Sequence, residues 1–341
     1  VDDRERSCAA EDPSAHPPER PITYLRLSIT DRCNLRCVYC MPPEGIPLFP
    51  QEAILRHREL LEILGTVVGP LGIKGVRITG GEPLVRGGVE ELVAGLAAIP
   101  GLEDVSLTTN GILLAGVARR LKDAGLRRVN VSLDTLDESR YRAICRGGEV
   151  AQVFQGIRAA EEAGLSPIKL NMVVIPGLND DEVERMAALT LAHPWHVRFI
   201  EFMPVGNDGL YRASHHLPTV ELLRRLMAVY PLQPAEKPYG LGPARYWRIE
   251  GARGLLGFIS PLSEHFCYTC NRIRLTADGW ARVCLLNDTL GVDVKTPYRA
   301  GARGEALTAL FRAACAMKPS RHGIAAGREE RFVKTMCQIG G

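Results

Sequence analysis

The sequence has no hydrophobic run approaching the twenty or so apolar residues that a membrane-crossing helix needs. Residues 1–21 are polar and proline-rich, with no apolar stretch of the kind that directs export. Charge of one sign is scarce too: 42 Lys and Arg against 39 Asp and Glu leave a net charge of +3, too little to suggest nucleic-acid binding. These absences point to a cytoplasmic protein that engages neither membrane nor nucleic acid, with residues 1–20 as a disordered arm. The 341 residues are 46% hydrophobic and 24% charged, the balance of a globular chain with a sizeable core. That length suits one large domain, or one domain with a smaller appendage.

Cysteine is plentiful, with ten in the chain. Three fall in Cys33-x3-Cys37-x2-Cys40 and three in Cys267-x2-Cys270-x13-Cys284. Without an export signal, clustered thiols point to metal rather than to disulfides. Cys8, Cys145, Cys315 and Cys337 stand alone and read as ordinary buried or incidental cysteines.

Short β-like runs at 24–30, 76–79, 105–109, 128–133, 168–174 and 197–202 alternate with helix-like segments near 52–64, 89–98, 113–124, 153–163 and 180–191. Gly125 and Gly164 follow two of those helices as stop signals. Six strands alternating with helices predict a parallel α/β sheet. Read with period 2, one strand face carries Arg26, Ser28 and Thr30, then Arg77 and Thr79, then Ser106, Thr108 and Asn110, then Asn130, Ser132 and Asp134, then Lys169 and Asn171. The other face is mostly apolar. A closed eight-stranded barrel fills its interior with bulky apolar layers. The polar face therefore predicts an incomplete (β/α)6 TIM-like barrel with a ligand inside. After Met203 the pattern changes to a loop at 206–218, a helix at 220–229 and two hairpin signals, Gly251-Ala252-Arg253-Gly254 and Ala277-Asp278-Gly279. A C-terminal α+β segment bearing the second cysteine group is expected there.

Three thiolates on one tight loop leave one iron of a [4Fe–4S] cluster open for chemistry, since a closed cluster takes four cysteines. A structural zinc site is the alternative, although zinc usually takes four ligands. Gly80-Gly81-Glu82-Pro83, directly after the second strand, allows close backbone approach to a ligand, and Glu82 can accept from an ammonium group; a plain tight turn reads equally well. For the second cysteine group, a zinc ribbon or a closed cluster completed by Cys315 or Cys337 stands beside an open cluster. Arg272 and Arg274 share a strand face, and Arg26, Arg77 and Lys169 add charge from three other strands. Five buried-looking cations without matching acids predict an anionic ligand. Asp31 and Asp134 read either as site residues or as structural partners of nearby Arg or backbone groups.

The cysteine loop, with Tyr39 before its third cysteine, resembles the radical S-adenosylmethionine (SAM) superfamily. The resemblance narrows to the GTP 3′,8-cyclase family of molybdenum-cofactor biosynthesis on the stretches Leu25-Arg26-Leu27-Ser28-Ile29-Thr30-Asp31-Arg32-Cys33-Asn34, Arg77-Ile78-Thr79-Gly80-Gly81-Glu82-Pro83-Leu84, Leu107-Thr108-Thr109-Asn110-Gly111, Asn130-Val131-Ser132-Leu133-Asp134, Arg198-Phe199-Ile200-Glu201-Phe202-Met203 and Cys270-Asn271-Arg272-Ile273-Arg274-Leu275, together with Gly340-Gly341. It implies a radical SAM lyase with a barrel over 21–205 and an auxiliary-cluster and GTP-binding domain over 206–341. Cys33, Cys37 and Cys40 would hold one [4Fe–4S] cluster and Cys267, Cys270 and Cys284 a second. SAM would meet Tyr39, Gly81, Glu82, Ser132 and Met203; GTP would meet Arg26, Arg77, Thr108, Lys169, Arg272 and Arg274. The implied reaction cleaves SAM to a 5′-deoxyadenosyl radical, takes hydrogen from ribose C3′ and closes that carbon on guanine C8, giving (8S)-3′,8-cyclo-7,8-dihydroguanosine 5′-triphosphate. Gly340 and Gly341 would reach into the site and hold its reactive geometry. An electron donor and a downstream cyclic pyranopterin monophosphate synthase, reached by product hand-over, are the implied partners, and a homodimer is compatible with the pattern. No side chain is marked as a catalytic acid or base. A radical SAM peptide-modifying enzyme and a non-enzymatic iron–sulfur electron carrier are the rival readings.

Overall fold

The computed structural model describes residues 20–206, 210–238, 240–287, 289–324 and 335–340. The expected arm therefore falls, but for Arg20, outside the described residues, as does Gly341.

The β-branched and aliphatic runs read from the sequence form six strands, β1 (Tyr24–Ser28), β2 (Gly75–Thr79), β3 (Asp104–Thr109), β4 (Arg128–Ser132), β5 (Lys169–Val174) and β6 (His196–Glu201). They alternate with helices α1 (His57–Leu71), α2 (Val89–Ala97), α3 (Ala118–Asp123), α4 (Glu138–Cys145), α5 (Val150–Glu162) and α6 (Val183–Ala192). All six strands are parallel neighbours in chain order. Their apolar face, including Leu25, Leu27, Val76, Ile78, Val129, Val131, Leu170 and Phe199, is buried with Leu60, Ile63 and Leu64 of α1 and Val153 and Ile157 of α5. Each such side chain contributes about 1.5–3 kcal/mol of burial free energy, so this one-sided core fixes the sheet and leaves the polar face to a cavity.

Helix boundaries differ from expectation where local chemistry overrides periodicity. Helix α1 begins at His57, because the Arg56 N–H donates to Glu59 Oε2 at 2.7 Å and starts the helix there. The segment expected as a helix over 113–124 breaks into a short 3-10 turn, Leu114–Gly116, and α3. Helix α4 falls between β4 and α5, where the sequence pattern predicts no helix. Asp137 caps it by accepting from the Arg140 N–H at 2.7 Å, and Arg146 closes it in the left-handed region at φ 53°.

The remaining elements are α7 (Thr219–Met227), β7 (Leu232–Ala235), β8 (Arg245–Ile249), β9 (Leu255–Ile259), β10 (Arg272–Leu275), β11 (Trp280–Arg282), β12 (Gly291–Asp293), α8 (Lys295–Arg299), α9 (Glu305–Ala316) and α10 (Met336–Ile339). Both expected hairpins are present, as β8–β9 and β10–β11. Their strands extend the barrel sheet rather than forming another: β10 runs parallel to β1, and β9 runs parallel to β6. The described strands form one sheet, in the order β12-β11-β10-β1-β2-β3-β4-β5-β6-β9-β8-β7. No helix among the described residues is long and apolar enough to cross a membrane.

Candidate active site

The loop after β1 carries Cys33, Cys37 and Cys40 at the carboxyl ends of the strands, where parallel α/β sheets place their ligands. It is tied to α4: the Arg36 N–H donates to Cys145 O and the Val38 N–H to Ile144 O, both at 2.9 Å. Gly206 lies so close that a Cβ there would sit 2.6 Å from Tyr39 O. The three thiols are half-buried, and they line the same cavity as Cys267, Cys270 and Cys284. Burial pushes the Cys33 thiol up to about 11. Cys37 and Cys40 rise well above the usual thiol range, first through hydrogen bonds with Cys145 and Cys337 and then through burial. Such thiols ionise readily only with metal beside them. Among the described residues no three His, Cys, Asp or Glu side chains converge as a single ion requires. A thiol-only donor set spread over a cavity wall fits an iron–sulfur cluster better than mononuclear zinc.

The Gly-Gly-Glu-Pro loop is packed against this one. A Cβ on Gly81 would fall 2.3 Å from Arg32 O, so only glycine fits. Glu82 is buried and accepts from the Leu84 N–H at 3.0 Å, the Thr109 hydroxyl at 2.9 Å and the Asn110 N–H at 2.7 Å. Burial raises its carboxyl to about 7. Glu82 lines the cavity as expected, yet its carboxylate is largely committed to bracing β2 against β3. Both aspartates have backbone or side-chain partners, and Asp134 also lines the cavity. Asp134 accepts from the Tyr39 hydroxyl at 2.6 Å and the Val173 N–H at 2.8 Å, and Asp31 from the Phe49 N–H at 2.6 Å. Ser132, Met203 and Thr108 also line the cavity.

Strand register assembles the cations. Arg282, Arg274, Arg26 and Arg77 are successive neighbours across β11, β10, β1 and β2, and the row continues through Ser106 to Arg128 on β4. Like charges opposite one another destabilise a sheet, so the row calls for anionic partners. Arg128 has one in Asp104, which its Nε reaches at 3.2 Å. Arg26 is held well below the usual guanidinium range by burial and by Arg274 and Arg77. Burial takes Arg77 and Arg274 down to about 10, the latter helped by Arg272. Lys169 falls to about 6 through burial beside Arg198, Arg128 and Arg77. Arg26, Arg77, Arg272 and Arg274 line the cavity, whereas Lys169 is not on its wall; the Lys169 ammonium lies 6.0 Å from the Tyr246 ring centroid. Two cations of the wall lie outside the expected set: Lys318, which no strand period could reveal, and Arg198, whose Nε donates to Asn171 Oδ1 at 2.8 Å and which a period-2 count that stops at β5 misses. Continuing the same count into β6 finds it.

The second thiol group sits beside these arginines. Burial raises the Cys270 thiol, but Arg272 and Lys318 outweigh it and carry it down to about 6. The Lys318 ammonium donates to Arg272 O at 2.9 Å and Val283 O at 2.7 Å. Neither candidate for a fourth ligand joins this group. Cys315 is not on the cavity wall, and Cys337 is, but with its Sγ 3.4 Å from that of Cys40. Gly340 accepts a hydrogen bond from the Arg274 guanidinium, and a Cβ there would lie 2.8 Å from Ser28 Cβ.

An open parallel sheet, three thiols after its first strand and a Gly-Gly-Glu-Pro loop after its second define a radical SAM protein. Residues 27–190 match the Radical SAM superfamily, and residues 195–324 match Molybdenum Cofactor Synthesis C. The fold is shared with the crystal structure of Streptococcus suis SuiB bound to S-adenosylmethionine (TM-score 0.56, 14% identity, 77% of this chain and 60% of that one). The chain is 51% identical to the GTP 3′,8-cyclase of Pelotomaculum thermopropionicum and 51% identical to that of Moorella thermoacetica, each alignment spanning 95% of this chain and 98% of the relative. It belongs to the GTP 3′,8-cyclase family.

Proposed function

We propose that this enzyme catalyses the 3′,8-cyclisation of GTP, the first step of molybdenum-cofactor biosynthesis, with residues 21–205 holding SAM and part of the nucleotide site and residues 206–341 holding the auxiliary cluster and the rest of that site. The observation that carries this reading is the sharing of one cavity by two thiol triads and a row of arginines. Cys33, Cys37 and Cys40 hold one [4Fe–4S] cluster, and Tyr39, Gly81, Glu82, Ser132 and Met203 surround SAM. Cys267, Cys270 and Cys284 hold a second cluster. Arg26, Arg77, Arg272 and Arg274 take the triphosphate along the cavity wall, Thr108 takes the nucleoside, and Lys169 adds charge from behind. When bound, the first cluster and SAM supply the one-electron chemistry that removes hydrogen from ribose C3′. The protein's own work is to hold C3′ and guanine C8 within bonding reach and to exclude water. Gly340 and Gly341 contribute to that geometry, so their deletion should lower turnover far more than binding.

The reductant is an external electron donor. The product passes to a cyclic pyranopterin monophosphate synthase. We place the enzyme in the cytoplasm, as a monomer or homodimer, without nucleic-acid or membrane partners. A peptide-modifying reading gives the arginine row no occupant, and an electron carrier would need four thiolates per cluster.

Anaerobic incubation with GTP, SAM and a chemical reductant, followed by chromatography and mass analysis, tests the proposal. Methionine, 5′-deoxyadenosine and a cyclised triphosphate are expected. The cyclised product is an isomer of GTP, because the hydrogen atom lost from C3′ is balanced by an electron and a proton gained, so it separates by retention and fragmentation rather than by mass. SAM cleavage with GTP recovered unchanged would overturn the proposal.

A further inference from the structure

Two cysteines outside both triads touch the first one. Cys145, buried at the end of α4, hydrogen-bonds Cys37 and also Tyr141. Cys337, buried on α10, lies 3.4 Å from Cys40. That separation is a sulfur hydrogen bond and is too short for two thiolates on different irons of one cluster. Once Cys40 is an iron-bound thiolate it has no proton, so Cys337 must be the donor. Donors to cluster sulfurs favour the electron-rich state and raise the reduction potential.

The two extra thiols differ in what stands behind them. Helix α4 is joined to the cysteine loop. Helix α10 is joined to the cation row instead. It is capped by Thr335 and Gln338, and the next residue, Gly340, receives the Arg274 guanidinium and packs against Ser28 of β1 and Thr79 of β2. Four residues therefore bridge a cluster sulfur to an arginine that faces the nucleotide.

We propose that Cys337 is a positioning residue that tunes the first cluster: its S–H donates to Cys40, and its seat depends on Gly340 and Arg274, so nucleotide at the arginine row changes the cluster's reduction potential. This rests on the reading that Cys33, Cys37 and Cys40 hold that cluster. Cys145 is the uncoupled counterpart, donating to Cys37 without a link to the nucleotide. By linkage, reducing the cluster changes nucleotide affinity by the same factor.

The test is an anaerobic potentiometric titration of the iron-loaded holoenzyme, followed by electron paramagnetic resonance, with and without GTP. The first cluster's signal is identified afterwards by its response to SAM. Iron counts come first: a wild-type protein with no SAM-responsive cluster would sink the functional reading itself. Given the cluster, Cys337→Val should lower the reduced-to-oxidised ratio at fixed potential about threefold, which a one-electron couple reads as about 28 mV. Cys337→Ser, which fills similar space but keeps a donor, should titrate near wild type. GTP should shift the wild-type and Cys145→Val potentials and leave that of Cys337→Val unmoved. Equal potentials in Cys337→Ser and Cys337→Val, or a full GTP shift in Cys337→Val, would overturn the proposal.

Discussion

The two thiol triads share a cavity but differ in the charges beside them, although burial raises Cys267 as it does the thiols of the first triad. Cys33 feels Glu82, Cys37 feels Asp134 and Cys145, and Cys40 feels Cys337, all of which resist ionisation; only the Leu35 N–H, which donates to Cys33 Sγ at 3.4 Å, and Arg36 act against them at Cys33. Cys270 has Arg272 and Lys318, and Cys284 lies close enough to Arg274 to stabilise its charge. The difference follows the charges of the proposed ligands. A sulfonium suits the electronegative end and a triphosphate suits the electropositive one. A single sheet thus presents two polarities by taking the thiols of one end from the loop after β1 and those of the other from the segments around β10 and β11.

The strongest way to break this comparison is to remove one triad at a time. Replacing Cys33, Cys37 and Cys40 by Ala should halve the iron of anaerobically reconstituted protein, from about eight to about four per chain, and abolish SAM cleavage. Replacing Cys267, Cys270 and Cys284 should also halve the iron, yet leave SAM cleavage running without cyclised product. Loss of SAM cleavage in the second variant, with its first cluster intact by spectroscopy, would erase the division.

A smaller effect is expected at the electropositive end. Arg77→Ala or Arg274→Ala should weaken GTP binding by roughly one to two decades, because a charge-assisted hydrogen bond contributes about 1.5–3 kcal/mol. Calorimetry should find SAM affinity nearly unchanged; equal losses for both ligands would mean the polarity is not partitioned.

The thiols themselves sharpen the contrast. In cluster-free protein at neutral pH, Cys270 should be alkylated by iodoacetamide tens of times faster than Cys33, since the thiolate is the nucleophile and only Cys270 is mostly ionised. Mass spectrometry of a short labelling time course reads this directly, and equal rates would dissolve the electrostatic difference.

The smallest signal is a proton. Lys169 is held at about 6, against an ordinary value of 10.5. Between those values the unfolded chain carries the proton and the ligand-free folded chain does not, so unfolding takes up a proton and stability rises with pH. The slope is at most about 1.4 kcal/mol per pH unit. Denaturation of wild type and Lys169→Met across pH 7–9 should show that slope in the first and a flatter one in the second. A triphosphate nearby raises the Lys169 value again, so GTP binding at pH 7–8 should take up protons, measurable as a buffer-dependent binding enthalpy.

Much of this is legible in the sequence because it rests on local periodicity. Alternation along β1 to β5 is enough to put Arg26, Arg77 and Lys169 on one face, and cysteine spacing marks both triads. What stays hidden depends on long-range pairing. That β10 lies beside β1 and β9 beside β6 has no local signature, because both strands resemble ordinary hairpin arms. Helix α4 has too few apolar residues for its period to show, and a cap makes it. Cys337 looks incidental in the sequence because its partner lies 297 residues away. Glu82 is expected to face a ligand, and only the positions of Thr109 and Asn110 reveal how far its oxygens are already engaged.

The pairing of β10 with β1 also bears on synthesis. An open strand edge is a template for wrong pairing, and β1 leaves the ribosome long before its outer neighbour exists. The Asn271 side chain that bonds Thr23 at this seam is 248 residues downstream of it. At about 5–20 residues per second, the nascent barrel keeps that edge bare for tens of seconds, and the far edge on β6 stays bare until β9 is made. Both edges of the nascent barrel therefore stay open to wrong pairing until β9 and β10 are made, and frameshifts late in the message should yield aggregates rather than a half-enzyme.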